Sequence, residues 1–106
     1  HSAGSMDGLL TYARGAMLSG AQMAELKAEM EPGAGRAALL ARLDEVFARA
    51  AAQVAATPLE LLDEPRGVGR KALPTTVGGL LIHTAEHTQR HVGQLIVTVR
   101  VVRATR

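Results

Sequence analysis

Three of the four histidines in this chain fall within residues 82–95, "IHTAEHTQRHVGQL". His83, His87 and His91 are four residues apart, slightly more than one helical turn, so a helix carries them on one face. Leu80, Gln94 and Thr98 fall among them, with Val77, Leu95 and Val99 alongside, and this face is expected to point into the interior. Glu86 and Arg90 occupy the other side at an i,i+4 spacing and predict an exposed ion pair, with Arg100 beyond.

Two histidines at i and i+4 can converge on one metal ion, the arrangement of H-x-x-x-H zinc sites. Position 88 is Thr, so no zincin-type glutamate base stands beside the ligands. His83 and His91 are about 12 Å apart along a helix axis at ~1.5 Å per residue. Ligand nitrogens sit ~2 Å from zinc, which leaves only the neighbouring pairs His83/His87 or His87/His91. A two-histidine site needs a further ligand from elsewhere. With no cysteine in the chain, that ligand is a carboxylate or His1, the one remaining histidine. The competing reading of a histidine on an apolar face is a hydrogen-bonded core residue, and three in register weaken it.

The elements that must position these side chains belong to one short domain. A chain of 106 residues has room for a single modest core, taken here as residues 1–106. Its apolar content is mostly Ala, Leu and Val, with one Tyr and one Phe, a composition suited to helix packing. No apolar run is long enough to span a membrane, and the start lacks a secretory pattern, so no membrane partner and a cytoplasmic location are expected. Zero cysteines exclude disulfides, thiolate metal sites and cysteine nucleophiles. The net charge of +2 comes from scattered arginines, crowded only at Arg100, Arg103 and Arg106. Without an aromatic stacking platform, no nucleic-acid partner is expected.

Residues 1–14 read as a helix with Leu9, Leu10 and Ala13 on one side, and "GAML" weakens it. "SGAQMAELKAEM" restarts it with Ser19 as N-cap and Gln22 at the capping-box position. After the break at "EPGAG", residues 36–56 form the clearest amphipathic helix, with Leu39, Leu40, Leu43, Val46, Phe47, Ala50 and Val54 at helical spacing. Thr57, Pro58 and Glu60 predict a short capped turn. "DEPRGVGRKALPTT" reads as a loop, and a last helix starts at Thr75 or Thr76 and runs to about Arg103. No stretch alternates as a strand does. The fold class is therefore all-α, with three substantial helical segments and one short turn. Three helices leave a groove where a fourth would complete a bundle, and the apolar third helix tolerates that poorly. An absent helix or a partner chain, most simply a homodimer, is expected to cover it.

The stretch "TTVGGLLIHTAEHTQRHVGQLIVTVRVVR" resembles the C-terminal helix of the DinB-like (YfiT-type) superfamily of four-helix-bundle proteins, whose pattern is L-x-H-x-x-x-H-x-x-x-H-x-G-Q-[LI]. The start, "HSAGSMDGLLTYARG", resembles the family's second helix from its metal histidine onward. The resemblance implies an up-down helical bundle in which the usual first helix is not part of this sequence. It implies a metal triad of His1, His87 and His91 with an open coordination position. His83 becomes an inward neighbour in the second shell, and Gly93 and Gln94 match the family's G-Q. A small residue at Gly93 would permit close helix approach, with Ser5 and Gly8 opposite. A second reading of the start takes "HSAGS" as a histidine-tag remnant before Met6, in which case His1 is no ligand.

The family resemblance implies a metal-dependent enzyme, either a hydrolase or a transferase acting on low-molecular-weight thiols, with a small-molecule substrate. The catalytic residues and the substrate are not named by the sequence. Imidazole ligands suit several divalent ions, of which zinc or nickel is expected here. The alternative class is a non-catalytic bundle that binds metal or associates with itself.

Overall fold

The computed structural model describes all 106 residues. Four helices carry most of the chain: α1 (Ser2–Ala13), α2 (Gly20–Ala28), α3 (Arg36–Ala56) and α4 (Val77–Ala104). A single 3-10 turn, Leu59–Leu61, follows α3 where a short turn was expected, but Pro58 is its N-cap and no side chain caps it, because Thr57 Oγ1 donates back to the Gln53 carbonyl. The architecture is all-α apart from one small hairpin.

α1 is short but central. Met6, Leu10 and Ala13 lie on one face, and all three are buried. Met6 and Leu10 join Val46 of α3 in the core cluster, with Ala3, Ala50 and Leu81 of α4 packed against it. The helix ends because Gly15 adopts a left-handed φ of 79°, a conformation that costs an L side chain about 1–2 kcal/mol. The Gly15 N–H donates to the Tyr12 carbonyl and the Ala16 N–H to that of Thr11, which satisfies groups the last turn would leave open. The chain therefore breaks fully between α1 and α2, and the first segment is two helices where one interrupted helix was expected. α2 restarts as its sequence predicts. The Gln22 N–H donates to Ser19 Oγ at 3.1 Å, and the Ser19 N–H donates to Gln22 Oε1 at 2.8 Å. The Gln22 side-chain amide also donates to Asp7 and Thr11 and so fastens α2 to α1.

The loop expected over residues 63–76 is a β-hairpin. β1 (Pro65–Val68) pairs antiparallel with β2 (Leu73–Thr76), from Pro65 opposite Thr76 to Val68 opposite Leu73. Four-residue strands that contain Pro65, Gly67 and Pro74 show no hydrophobic alternation, so their pairing left no periodic mark in the sequence. The Arg66 guanidinium donates from Nε to the Ala13 carbonyl at 2.9 Å, which ties the hairpin to the end of α1. Thr76 then caps α4 by accepting from the Gly79 N–H. Two further amides of that first turn find carbonyls in the preceding turn, Val77 to Glu64 and Gly78 to Leu62. A side chain at Gly78 would meet the Leu62 carbonyl oxygen at 3.1 Å, so this close approach needs glycine.

α1 runs antiparallel to α4, with its end against β1 and its start against the middle of the long helix. The buried residues of α4 are Val77, Leu80 and Thr84. The expected interior face is corrected in two respects. His83 is exposed, and so are Gln94, Leu95, Thr98 and Val99. For Gln94, Leu95, Thr98 and Val99 the reason is length, whereas His83 lies within the covered half but faces outward, toward Glu86. At ~1.5 Å per residue, α1 spans about 18 Å and α4 about 42 Å, so α1 covers only the first half of its partner. α3 is also largely uncovered: Leu39, Leu40, Phe47 and Val54 are all exposed and only Val46 is buried. Between α3 and α4, floored by Met6 and Leu10, lies an apolar groove of about 570 Å³ edged by Phe47, Val54 and Leu81.

Candidate metal centre

The antiparallel packing brings His1, at the N-cap of α1, to the two histidines one turn apart on α4. The His87 and His91 Nε2 atoms are 3.0 Å apart, and His1 Nε2 is 3.3 Å from His87 Nε2. One ligand nitrogen from each of the three lies within 4.8 Å of the others. The rings of His1 and His91 meet edge-on at 4.6 Å between centroids, and those of His87 and His91 at 4.5 Å. Nitrogens bound tetrahedrally at ~2.0–2.1 Å from zinc are about 3.3–3.4 Å apart, so these donors fit a divalent ion with little adjustment. Three neutral imidazoles whose lone pairs converge repel one another unless protons or a cation lie among them. His1 is exposed and His87 and His91 are half-buried, so the group is open to solvent on one side.

The electrostatics favour ligation. His87 is held below the ordinary histidine pKa, first by partial desolvation and then by the repulsion its protonated form would meet from the His91, His83 and Arg90 side chains around it. A histidine so placed keeps the neutral form that a metal requires.

The remaining residues singled out in the sequence are placed differently. His83 Nδ1 donates to Glu86 Oε1 at 2.6 Å, and its ring is 5.7 Å from that of His87. Arg90 donates to the other Glu86 oxygen at 2.7 Å, as the i,i+4 spacing predicted. Desolvation raises the Glu86 carboxyl, but the His83 hydrogen bond and the charge and hydrogen bond of Arg90 outweigh it and leave the pKa lowered. Gln94 lies exposed with Gly93, Val97 and Thr98, and its side chain makes no hydrogen bond to the histidines. A side chain at Gly93 would meet nothing within 4 Å, so no helix approaches closely there. Gly8 does not oppose Gly93 either: a side chain there would make only an ordinary contact, at 3.5 Å, with Leu18.

Two residues that touch the group were not singled out for it. Ser5 Oγ donates to His1 Nε2 at 3.0 Å, and Glu29 Oε2 accepts from His1 Nδ1 at 2.7 Å. The i,i+4 spacing of His1 and Ser5 was a local signal for the first contact. The second joins residues 28 apart and depends on how α2 folds back on α1.

A family model for the DinB superfamily matches residues 1–95. The chain belongs to the DinB superfamily. The match begins at His1, so the residues before Met6 and all three converging histidines of this DinB-superfamily chain lie inside it. No curated protein and no solved structure matches the chain.

Proposed function

We propose that this DinB-superfamily chain binds one divalent metal ion, zinc or nickel, through His1, His87 and His91. We further propose that it serves as a metal-dependent hydrolase or a thiol S-transferase acting on a small-molecule substrate in the cytoplasm. The observation that carries the reading is the convergence of three imidazole nitrogens, within 4.8 Å, from the chain start and from α4. A divalent ion held by three histidines with an open position polarises a substrate or activates water. The chain's own residues supply the orientation. Thr84 Oγ1 and Thr88 Oγ1 donate back to carbonyls one turn earlier on α4, and the Glu86–Arg90 pair braces its outer side. His87, held neutral by its surroundings, keeps a lone pair available.

The test is elemental analysis of protein purified without a histidine tag, together with three variants. His87→Ala and His91→Ala should each lose the metal, and His83→Ala should keep it. Unchanged stoichiometry in both of the first two overturns the site. Turnover of thiol adducts or esters that is abolished by chelator and restored by metal distinguishes an enzyme from a non-catalytic metal-binding bundle.

Self-association, the second reading, is favoured by the surface. A folded chain of this mass ordinarily exposes roughly 5,700 Å². This one exposes 7672 Å². The excess is about 2,000 Å² per chain, a scale that either a second copy or a helix outside these residues would cover. A second copy seated on the apolar groove would cover Phe47 and Val54, both about half exposed. That face is distinct from the one bearing His87 and His91, so pairing there leaves the histidines open.

A further inference from the structure

We propose that Glu29 is the positioning residue of the metal site, the carboxylate that selects the tautomer and orientation of His1; this rests on the metal-binding reading above. His1 is the least constrained of the three histidines. It precedes the first turn of α1 and its side chain is 44% exposed, whereas His87 and His91 are fixed by the body of α4. An imidazole this exposed can rotate and can carry its proton on either nitrogen.

Glu29 removes both freedoms. Its Oε2 accepts from His1 Nδ1 at 2.7 Å, and its side chain is only 16% exposed. A proton on Nδ1 leaves the lone pair on Nε2, the atom 3.3 Å from His87 Nε2. The Ser5 hydroxyl, 3.0 Å from Nε2, can donate to that nitrogen once Glu29 holds the proton on Nδ1. Histidines that bind metals generally give their second N–H to a carboxylate or carbonyl, which fixes the ring and raises its basicity.

The fold delivers Glu29 to this place by three devices. The break at Gly15 turns the chain back, the Ser19–Gln22 capping box starts α2, and Gln22 fastens α2 to Asp7 and Thr11 of α1. Glu29 then falls at the C-cap of α2. Gly4 leaves room for it, since a side chain there would come within 3.4 Å of Glu29 Oε1. A bare ion pair between α1 and α2 would explain the distance but not why the opposite nitrogen, Nε2, is the one turned toward His87.

The experiment uses the whole chain with cobalt(II) as the probe. Cobalt affinity and visible spectrum are measured for the unaltered protein, Glu29→Ala and Glu29→Gln, and the His1 tautomer is read by nitrogen-15 NMR of the metal-free forms. Glu29→Ala should weaken cobalt binding about 10–100-fold. In that variant the His1 proton should no longer be held on Nδ1. Glu29→Gln, whose amide oxygen still accepts, should keep the Nδ1–H tautomer and recover part of the affinity, and it remains informative if the alanine variant does not fold. Unaltered cobalt affinity in a folded Glu29→Ala protein overturns the assignment of Glu29 while leaving the triad standing. Failure of the unaltered chain to bind cobalt overturns both.

Discussion

Removing His1 tests whether a metal joins the two ends of this fold. If His1, His87 and His91 share an ion, binding ties the start of α1 to the middle of α4, across 86 residues of chain. Free metal at about 100 times its dissociation constant stabilises the native state by ~2.7 kcal/mol. In a domain of this size each kcal/mol moves the thermal midpoint by about 4–8 °C, so chelator should lower it by roughly 10–20 °C. In His1→Ala the remaining pair lies on one helix and joins nothing. If that pair binds about a hundredfold more weakly, the same free metal contributes only ~0.4 kcal/mol, or roughly 2–3 °C. The assay is a thermal melt of each protein with and without chelator. Comparing each variant with itself cancels the loss of the Ser5 and Glu29 hydrogen bonds. A chelator effect of equal size in both proteins would refute the reasoning and reduce His1 to a terminal residue.

Two further outcomes are expected. The metal-free protein should lose stability on acidification from about pH 7.5 to about pH 5.5. His87 titrates below its ordinary 6.5 when folded, so between its folded value and 6.5 the unfolded chain holds more protons and stability rises with pH. The slope should flatten in His87→Ala, and an unchanged slope would count against it. Light scattering should report a dimer, and Phe47→Asp, which places a charge in the groove, should release monomers. A compact monomer over a wide concentration range would remove the self-association reading.

What the sequence made legible was local. The Ser19–Gln22 capping box, the Thr76 cap, the Glu86–Arg90 pair and the common face of His87 and His91 each depend on residues three or four apart. The hairpin at Pro65–Thr76 was not legible, because strands so short, interrupted by proline and glycine, carry no alternation. Gln94 and Thr98 were assigned to the interior from their spacing, but which half of α4 is buried depends on how far α1 reaches; His83, within the covered half, faces Glu86 instead. The lack of cysteine left His1 or a carboxylate as the third ligand, and the family resemblance chose His1, since nothing in its neighbours signals a partner 86 residues away. Glu29 had no signal at all. Its contact exists only once the turn at Gly15 sets α2 beside α1.

The first turn of α4 is gripped by the Leu62 and Glu64 carbonyls, while its far half stands clear of other elements. Mechanically, the helix is a beam gripped at its first turn and steadied by α1 along its first half. His91 lies thirteen residues from Gly78, about 20 Å along the axis at ~1.5 Å per residue. A tilt of about 5° at the grip would carry its imidazole nearly 2 Å sideways over that length, comparable to a whole metal–nitrogen bond at ~2 Å. The tolerances of the histidine cluster are thus set partly at the opposite end of the molecule. There a single methyl group at Gly78 would press on the Leu62 carbonyl and act as a wedge under the lever.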